Sequence, residues 1–423
     1  MVRLLITLAG GALFALMANP GVADTPSRQS FVAGTDISYV SVSGHPSWVE
    51  ESAGKLRYDQ DSDGLVISRA FADYRLRIAD TLNAKIVAEL YNDGIGSGLD
   101  FTEAYLEWRP LTLSANRYRL KLGGFYPRIS LENTGPAWSS PYTISSSAIN
   151  TWIAEEIRVF GAEFSVSRRP QSLGGMHTFS LHAAAFWNND PMGGLISWKG
   201  WSVHDRQSRF GDVLPLPPLP QIQPDGFFWR QDPFFIPFQE NDDRAGWYVG
   251  GEWQYGKRLL FRVMRYDNMA DPRSIVNRQY AWYTEFTHLG LQASLPWNIG
   301  LIAQWMDGET VMGPEIRGAH VVDVGYYSNF VLLTKAIGRH RVSARYDHFE
   351  VTEDDQVPLD ENAEFGHAWT VAYRFQATDI ASLALEWLQI HSNRPAWAYN
   401  DLSTSNTEKQ LQLALELRFG NRQ

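Results

Sequence analysis

In segment after segment from about residue 65 to the end of the chain, apolar and polar residues alternate one for one. In the segment 411–419 the odd positions are Leu411, Leu413, Leu415, Leu417 and Phe419, and the even ones are Gln412, Ala414, Glu416 and Arg418. Successive side chains of a strand point to opposite faces, so this pattern makes one apolar face and one wet face. Wound as a helix, the same segment would scatter its leucines around the whole circumference. The alternation recurs with Ala70, Ala72, Tyr74, Leu76 and Ile78 against Arg69, Asp73, Arg75 and Arg77. It recurs again with Leu82, Ala84, Ile86, Ala88 and Leu90 against Lys85 and Glu89, and with Ala104, Leu106 and Trp108 against Glu103 and Glu107. Tyr118, Leu120 and Leu122 alternate with Arg117, Arg119 and Lys121, and Trp369, Val371, Tyr373 and Phe375 with Thr370 and Arg374.

This period predicts strands over 55–60, 65–79, 82–92, 99–109, 116–128, 156–168, 176–189, 244–257, 258–268, 278–295, 298–307, 320–336, 340–352, 365–377, 379–392 and 407–419. Most exceed the roughly five or six residues usual in globular sheets and reach the length a tilted strand needs to cross a bilayer. The joints alternate in kind. Short ones fall at Ala79-Asp80-Thr81, Tyr255-Gly256-Lys257, Pro296-Trp297-Asn298, Gly338-Arg339 and Thr378-Asp379, and long polar ones at 128–155, 189–244, 307–320, 352–365 and 392–407. The expected fold is all-β: a transmembrane antiparallel β-barrel of about 16 strands with short periplasmic turns and long extracellular loops. A soluble propeller would carry a blade-length repeat, which the sequence lacks. A soluble sandwich has no water inside for the charges carried on nearly every strand, whereas a wide barrel has a wet lumen.

The first residues add a compartment. Met1 and Arg3 precede the apolar run Leu4 to Met17, and Gly21-Val22-Ala23 follows before Asp24. Basic residue, apolar core and small-x-Ala site read as a secretory signal peptide over 1–23, too short in its apolar part for a span. The organisation expected after it is an N-terminal segment 24–54 lying in the periplasm or plugging the lumen, a barrel over 55–419, and a tail at 420–423. The location expected is the cell outer membrane. With no cysteine to acylate, the chain is not a lipoprotein, and a net charge of -10 argues against nucleic acid, whose binding needs basic patches.

The segment Leu120-Lys121-Leu122-Gly123-Gly124-Phe125-Tyr126-Pro127-Arg128-Ile129-Ser130-Leu131-Glu132-Asn133, after the strand Glu103–Pro110, resembles a hallmark of the phosphate-selective porin O/P family. There a strand ends in a Gly-x-Phe-x-x-Pro-like run, followed by an apolar-Glu pair and the third loop. The resemblance implies a 16-stranded, usually trimeric barrel with loop three folded into the lumen. It implies an outer-membrane porin passing small hydrophilic solutes or ions, with outer-membrane lipid and two further copies of the chain as partners. The sequence departs from the family's arginine ladder and lysine cluster: lysines are sparse, and the loops are acidic at Asp59, Asp61 and Asp63 and from Glu353, Asp354 and Asp355 to Glu364. The likeness therefore speaks for a porin more than for phosphate. A substrate-specific channel for a sugar or aromatic acid shares the architecture, and a barrel enzyme or a structural protein is the other alternative.

The candidate pore-lining residues are Arg69, Asp73, Arg75, Arg77, Glu103, Glu107, Arg117, Arg119 and Lys121 on the wet faces, with Arg128 and Glu132 where the third loop begins. Glu89, Glu163, Glu252 and Glu285 are expected on the same interior. Facing rows of opposite charge set up a transverse field that tunes which ions pass, or else crosslink the wall as ion pairs. Loop 128–155 is the natural constriction. In loop 189–244 the aromatic residues Phe227, Phe228, Trp229, Phe234 and Phe235 are expected to pack on the rim or a neighbouring protomer, the alternative being a stacking platform in the lumen. Asp59-x-Asp61-x-Asp63-Gly64 matches the first half of a calcium loop, but position twelve is Ala70, so it reads as an acidic hairpin tip. Gly94-Ile95-Gly96-Ser97-Gly98 reads as a flexible loop. Neither His-Glu-x-x-His nor Gly-x-Ser-x-Gly occurs, so no enzyme, catalytic residue, metal or cofactor is expected.

Overall fold

The computed structural model describes residues 28–421 apart from 97, 169–174, 317 and 356. Sixteen strands close into one antiparallel barrel, each paired with its neighbours in sequence and the last with the first. In chain order they are β1 (Gln29–Ser43), β2 (Gly64–Ala79), β3 (Leu82–Leu90), β4 (Leu99–Trp108), β5 (Asn116–Phe125), β6 (Val159–Arg168), β7 (His177–Trp187) and β8 (Gly246–Tyr255). There follow β9 (Leu259–Asp267), β10 (Tyr283–Leu295), β11 (Ile299–Ile316), β12 (Ala319–Ile337), β13 (His340–Glu353), β14 (Glu364–Gln376), β15 (Ala381–Asn393) and β16 (Ser405–Asn421). Turns of two to a few residues join the strands at most joints of one rim, and the long loops stand at the other, the arrangement of an outer-membrane barrel. The loops used below are L1 (44–63), L3 (126–158) and L4 (188–245).

The barrel keeps the expected polarity. Leu411, Leu413 and Phe419 of β16 are exposed on the outer face, while Gln410, Gln412, Ala414 and Glu416 are buried inside. A closed barrel leaves no unpaired edge, and the apolar outer face is what lipid demands. Of the bulges that adjust the wall, two turn an extra residue inward. Asp36 pairs with Arg69 and Ile37 with Ile67, so Ser68 is an extra residue, and both Ser68 and Arg69 turn inward. Thr102 is likewise extra against Val87 and Ala88, and both it and Glu103 face inward.

The structure corrects four expectations. The first strand is Gln29–Ser43, not 55–60, so segment 24–54 supplies a wall strand paired with both β2 and β16. Its period was hidden because Val40 and Val42 point inward against loop L1, where Trp48 and Leu56 are buried, and both faces are therefore apolar. Residues 55–60 belong to L1, and all but the exposed Gln60 lie buried inside the barrel. The expected loop 307–320 is instead the outer half of the β11–β12 hairpin, which reaches Ile316 and resumes at Ala319. Glu285 faces outward, because Thr284, Phe286 and His288 are its buried neighbours, and it pairs with Arg265. Gly420 and Asn421 of the expected tail finish β16, and the signal peptide at 1–23 lies outside the described residues.

The lumen is heavily filled. L3 carries a helix, α1 (Ala148–Glu156), every residue of which is buried, and L4 carries the short α2 (Gly194–Trp198), also wholly buried. Trp152 of α1 packs against Trp201 at 6.0 Å, Phe286 at 5.8 Å and Tyr326 at 5.0 Å between ring centroids, and Trp198 of α2 meets Trp282 at 5.0 Å. Gly193, with φ of 105°, allows this approach: a Cβ there would stand 2.0 Å from Thr310 Oγ1 on the wall.

Candidate functional site

A large water-accessible space lies at the periplasmic end. A vestibule of about 730 Å³ lies between the wall and the underside of L3, lined by Ser30, Asp73, Arg75, Thr134, Ser139, Ser140, Arg339, His340, Arg341, Arg374, Glu416 and Arg418 among others. It adjoins a smaller inner cavity of about 30 Å³, here called the eyelet, with room for little more than one water, and the two share Ser139, Ser140, Arg374, Glu416 and Arg418. One side of the eyelet is loop: Asn133, Trp138, Ser139, Ser140, Ile144 and Ser146 of L3, with Asp205 and Gln207 of L4. The other side is wall: Asp36, Ser38, Arg69, Arg374, Gln412, Glu416 and Arg418.

Charge is unevenly distributed. The vestibule lining holds five arginines (Arg75, Arg339, Arg341, Arg374 and Arg418) against two carboxylates, Asp73 and Glu416. Arg75 meets Asp73 at 3.4 Å, Arg374 pairs with Glu416, and Arg418 pairs with Asp36 at 2.5 Å. Arg339 donates to the Ala377 carbonyl at 3.2 Å, and Arg341 donates to Thr334 Oγ1 at 3.2 Å and stands over the Tyr142 ring. Neither makes an ion pair among the described residues, so positive potential is left at the vestibule floor.

L3 is held against the wall by a buried guanidinium. Arg345 of β13 is fully buried, pairs with Asp347 at 2.8 Å and Glu132 at 3.3 Å, and donates to the carbonyls of Ser145 and Ser146 at 2.8 Å each. Glu386 of β15 accepts from the backbone N–H groups of Ile144 at 2.6 Å and Ser145 at 3.0 Å, and Arg374 donates to the Thr143 carbonyl at 2.8 Å. Ionic partners on β13, β14 and β15 thus fix the stretch of L3 that forms the eyelet. A second set of contacts locks L3 to L4. Glu155 pairs with Lys199 and His204; against the burial that would raise it, these hold its carboxyl at about 2. Glu156 accepts from Gly193 N and Leu195 N, each at 3.1 Å, and from Trp152 Nε1; burial outweighs them and pushes it up to about 8.

The expected pore residues separate into groups. Asp73 and Arg75 line the vestibule, and Arg69 lines the eyelet while bonding Glu89 at 2.7 Å and the Ala137 carbonyl. Arg77 is exposed near the periplasmic end of β2. Glu103 pairs with Lys85. Glu107, Arg119, Lys121 and Arg128 belong to a ladder through Glu163: Arg119 lies 3.5 Å from Glu107 and 3.1 Å from Glu163, Lys121 3.9 Å and Arg128 3.8 Å from Glu163. Arg117, Arg119 and Arg128 border a separate recess of about 190 Å³ on that wall. Glu132 has no exposed surface; besides Arg345 it accepts from Ser147 N at 2.6 Å and Asn150 Nδ2 at 2.8 Å, so it anchors the loop and meets no pore water.

L4 divides in two, contrary to packing on the rim as a whole. Its first part descends into the lumen, where Trp201 donates through Nε1 to the Glu350 carbonyl at 3.0 Å and Arg206 pairs with Asp93 at 2.8 Å and Asp212 at 2.9 Å. Its second part is a cap in which Phe228 and Phe235 are buried and Phe227, Trp229 and Phe234 are exposed. Asp59 caps the turn Gln60–Ser62 and accepts from Ser47 N at 2.9 Å, and Asp63 accepts from Val42 N at 2.7 Å, so both carboxylates serve the chain's own backbone. Sequence reasoning missed Asp36 and Ser38 with the first strand, Arg339, which sits at a turn where no alternation marks it, and Arg341, which lies on the wet face at the start of β13.

No family model matches the sequence, and no curated protein matches it. The fold is similar to solved barrels. The outer membrane channel DcaP of Acinetobacter baumannii superposes with a TM-score of 0.50 at 13% identity, over 92% of this chain and 96% of that one. OmpT, an outer membrane protein of Vibrio cholerae, in its trimer form, gives 0.50 at 8% identity, over 92% and 99%. At such identities the likeness speaks for the fold: a closed porin-type barrel of the outer membrane.

Proposed function

We infer that this chain is an outer-membrane porin, in which small hydrophilic solutes pass by diffusion between the vestibule and the outside through the eyelet between L3 and the wall. The observation that carries this reading is the polar vestibule of about 730 Å³ adjoining a loop-lined eyelet inside a barrel whose outside is apolar. The filling of the upper lumen by L3 and L4 favours a narrow, selective channel over a wide general one. Five arginines against two carboxylates favour small anions on the periplasmic side. The O/P resemblance is carried by the residues that lead into L3, but the vestibule lining includes no lysine, so it supports an anion path without singling out phosphate. A homotrimer is the expected assembly, and DcaP, described as a channel, shares the fold.

The test is recording in planar bilayers. The reading expects small, discrete single-channel steps and, under a KCl gradient at low salt, a reversal potential on the anion side. Exchange of Arg75, Arg339 and Arg341 for Gln should move that potential toward cations, and raising the salt should shrink the difference as screening sets in. A folded barrel that gives no steps overturns the reading in favour of an enzyme or a structural protein.

A further inference from the structure

On the outside of the barrel, just extracellular of the apolar belt, register lines up five polar residues on five consecutive strands. Asn329 of β12 pairs with His348 of β13, His348 with His367 of β14, His367 with His391 of β15, and His391 with Thr407 of β16. All five point outward, because their strand neighbours Ser328, Asp347, Phe349, Ala368, Ser392 and Glu408 are buried inside. The rings of His367 and His391 are 5.5 Å apart, and His391 Nδ1 shares a hydrogen bond of 3.0 Å with Thr407 Oγ1. Lys409 lies one step nearer the membrane centre on β16, in the register row of Gln389, Trp369 and Tyr346; it is exposed, makes no ion pair among the described residues, and its long side chain can extend outward to the level of the histidines.

Lipid tails would not tolerate such a row, so its depth matters. One step toward the membrane centre are Tyr346 and Trp369, their rings tilted at 53° with centroids 4.7 Å apart, and His367 lies over Tyr346 at 6.1 Å. Tyrosine and tryptophan mark the interface in barrels, so the histidines stand at headgroup level. On β13 to β16 this outer face presents three imidazoles and an ammonium, and the carboxylate beside them is Glu350, one step further out on β13. Further acids of the outer rim lie further out or to one side: Asp323 on β12, Asp354 just past β13, and Asp307, Glu309 and Glu285 on β10 and β11. Donors thus outnumber acceptors at the depth where an outer leaflet carries its phosphates.

We propose that His348, His367, His391 and Lys409 form a binding strip for the phosphates of an anionic glycolipid headgroup in the outer leaflet, each phosphate meeting side chains of neighbouring strands. The imidazoles and the ammonium donate to phosphate oxygens, Thr407 fixes the His391 ring, and the aromatic belt below packs on the acyl chains.

The experiment is native mass spectrometry of the purified full-length protein in detergent, with bisphosphorylated lipid A as the probe. A triple change of His348, His367 and His391 to Phe suits a lipid-facing surface, and Lys409→Gln is a milder second variant. Retention of lipid A should fall roughly tenfold or more in the triple variant and less in Lys409→Gln, the scale of losing one or two charge-assisted hydrogen bonds. Dephosphorylated lipid A should bind wild type no better than it binds the variant. Equal retention of the two lipids by wild type overturns the proposal even if the triple variant does not fold. So does inorganic phosphate that displaces no lipid yet binds the row by itself. Zinc bound stoichiometrically in place of lipid would make the row a metal site, and an oligomer lost from the variant with lipid retained would make it a contact between copies; either result also overturns the proposal.

Discussion

Arg345 shows what a single buried residue does for the passage. Its guanidinium sits at zero exposure among Glu132, Asp347 and two L3 carbonyls, and its removal leaves two carboxylates buried with no cation. Breaking a buried pair in this way costs about 3–5 kcal/mol. Arg345→Met should therefore free L3 from the wall, seen as faster proteolysis within 128–147 and larger, noisier conductance steps, with the barrel still folded. Glu156 makes a pH prediction. Its folded value of about 8 lies above the ordinary 4.5, so the fold favours the protonated form. The stability it contributes is complete below about pH 4.5 and is lost as pH rises through about 8. Glu155 runs the other way: held at about 2, it contributes above pH 4.5 and loses that contribution as pH falls toward 2. Glu156→Gln should abolish the alkaline weakening of the L3–L4 contact, measured as thermal unfolding between pH 6 and 9; a slope unchanged in the variant would assign it to another group.

At the level of elements, the strands were legible because lipid outside and water inside impose opposite demands at every second residue. Leu413→Arg, at mid-membrane on β16, should cost about 2–4 kcal/mol and impair assembly, whereas Glu416→Gln, facing the vestibule, should assemble normally. Gel-shift of the heat-resistant folded form separates them. The period failed where that contrast fails. Val40 and Val42 of β1 face packed loop rather than water, and α1 is buried on every side, so neither shows a face. L4 was readable as unusual but not as divided, since its aromatic residues serve both the lumen and the cap. Trp201→Ala, removing a ring wedged against Trp152 and Tyr326, should cost about 3–5 kcal/mol and loosen the plug. Trp229→Ser, at the exposed cap, should leave both stability and conductance near wild type.

For the whole molecule, the proposed path takes solute between the L3 serines and the arginines of β14 and β16. Of that site the sequence disclosed the wall arginines and the constricting loop; it could not disclose which wall the loop meets, because that is decided by pairing between Arg345, Glu386 and a loop more than 180 residues away. The chain has no cysteine, so one introduced thiol can be modified alone. Single-channel recording of Ser140→Cys, before and after a charged thiosulfonate reagent, probes the eyelet directly. A stepwise fall of current is expected on modification of Ser140→Cys, and none for Ser180→Cys in the recess on the opposite wall. Current through Ser140→Cys that is unchanged after complete modification would contradict that path.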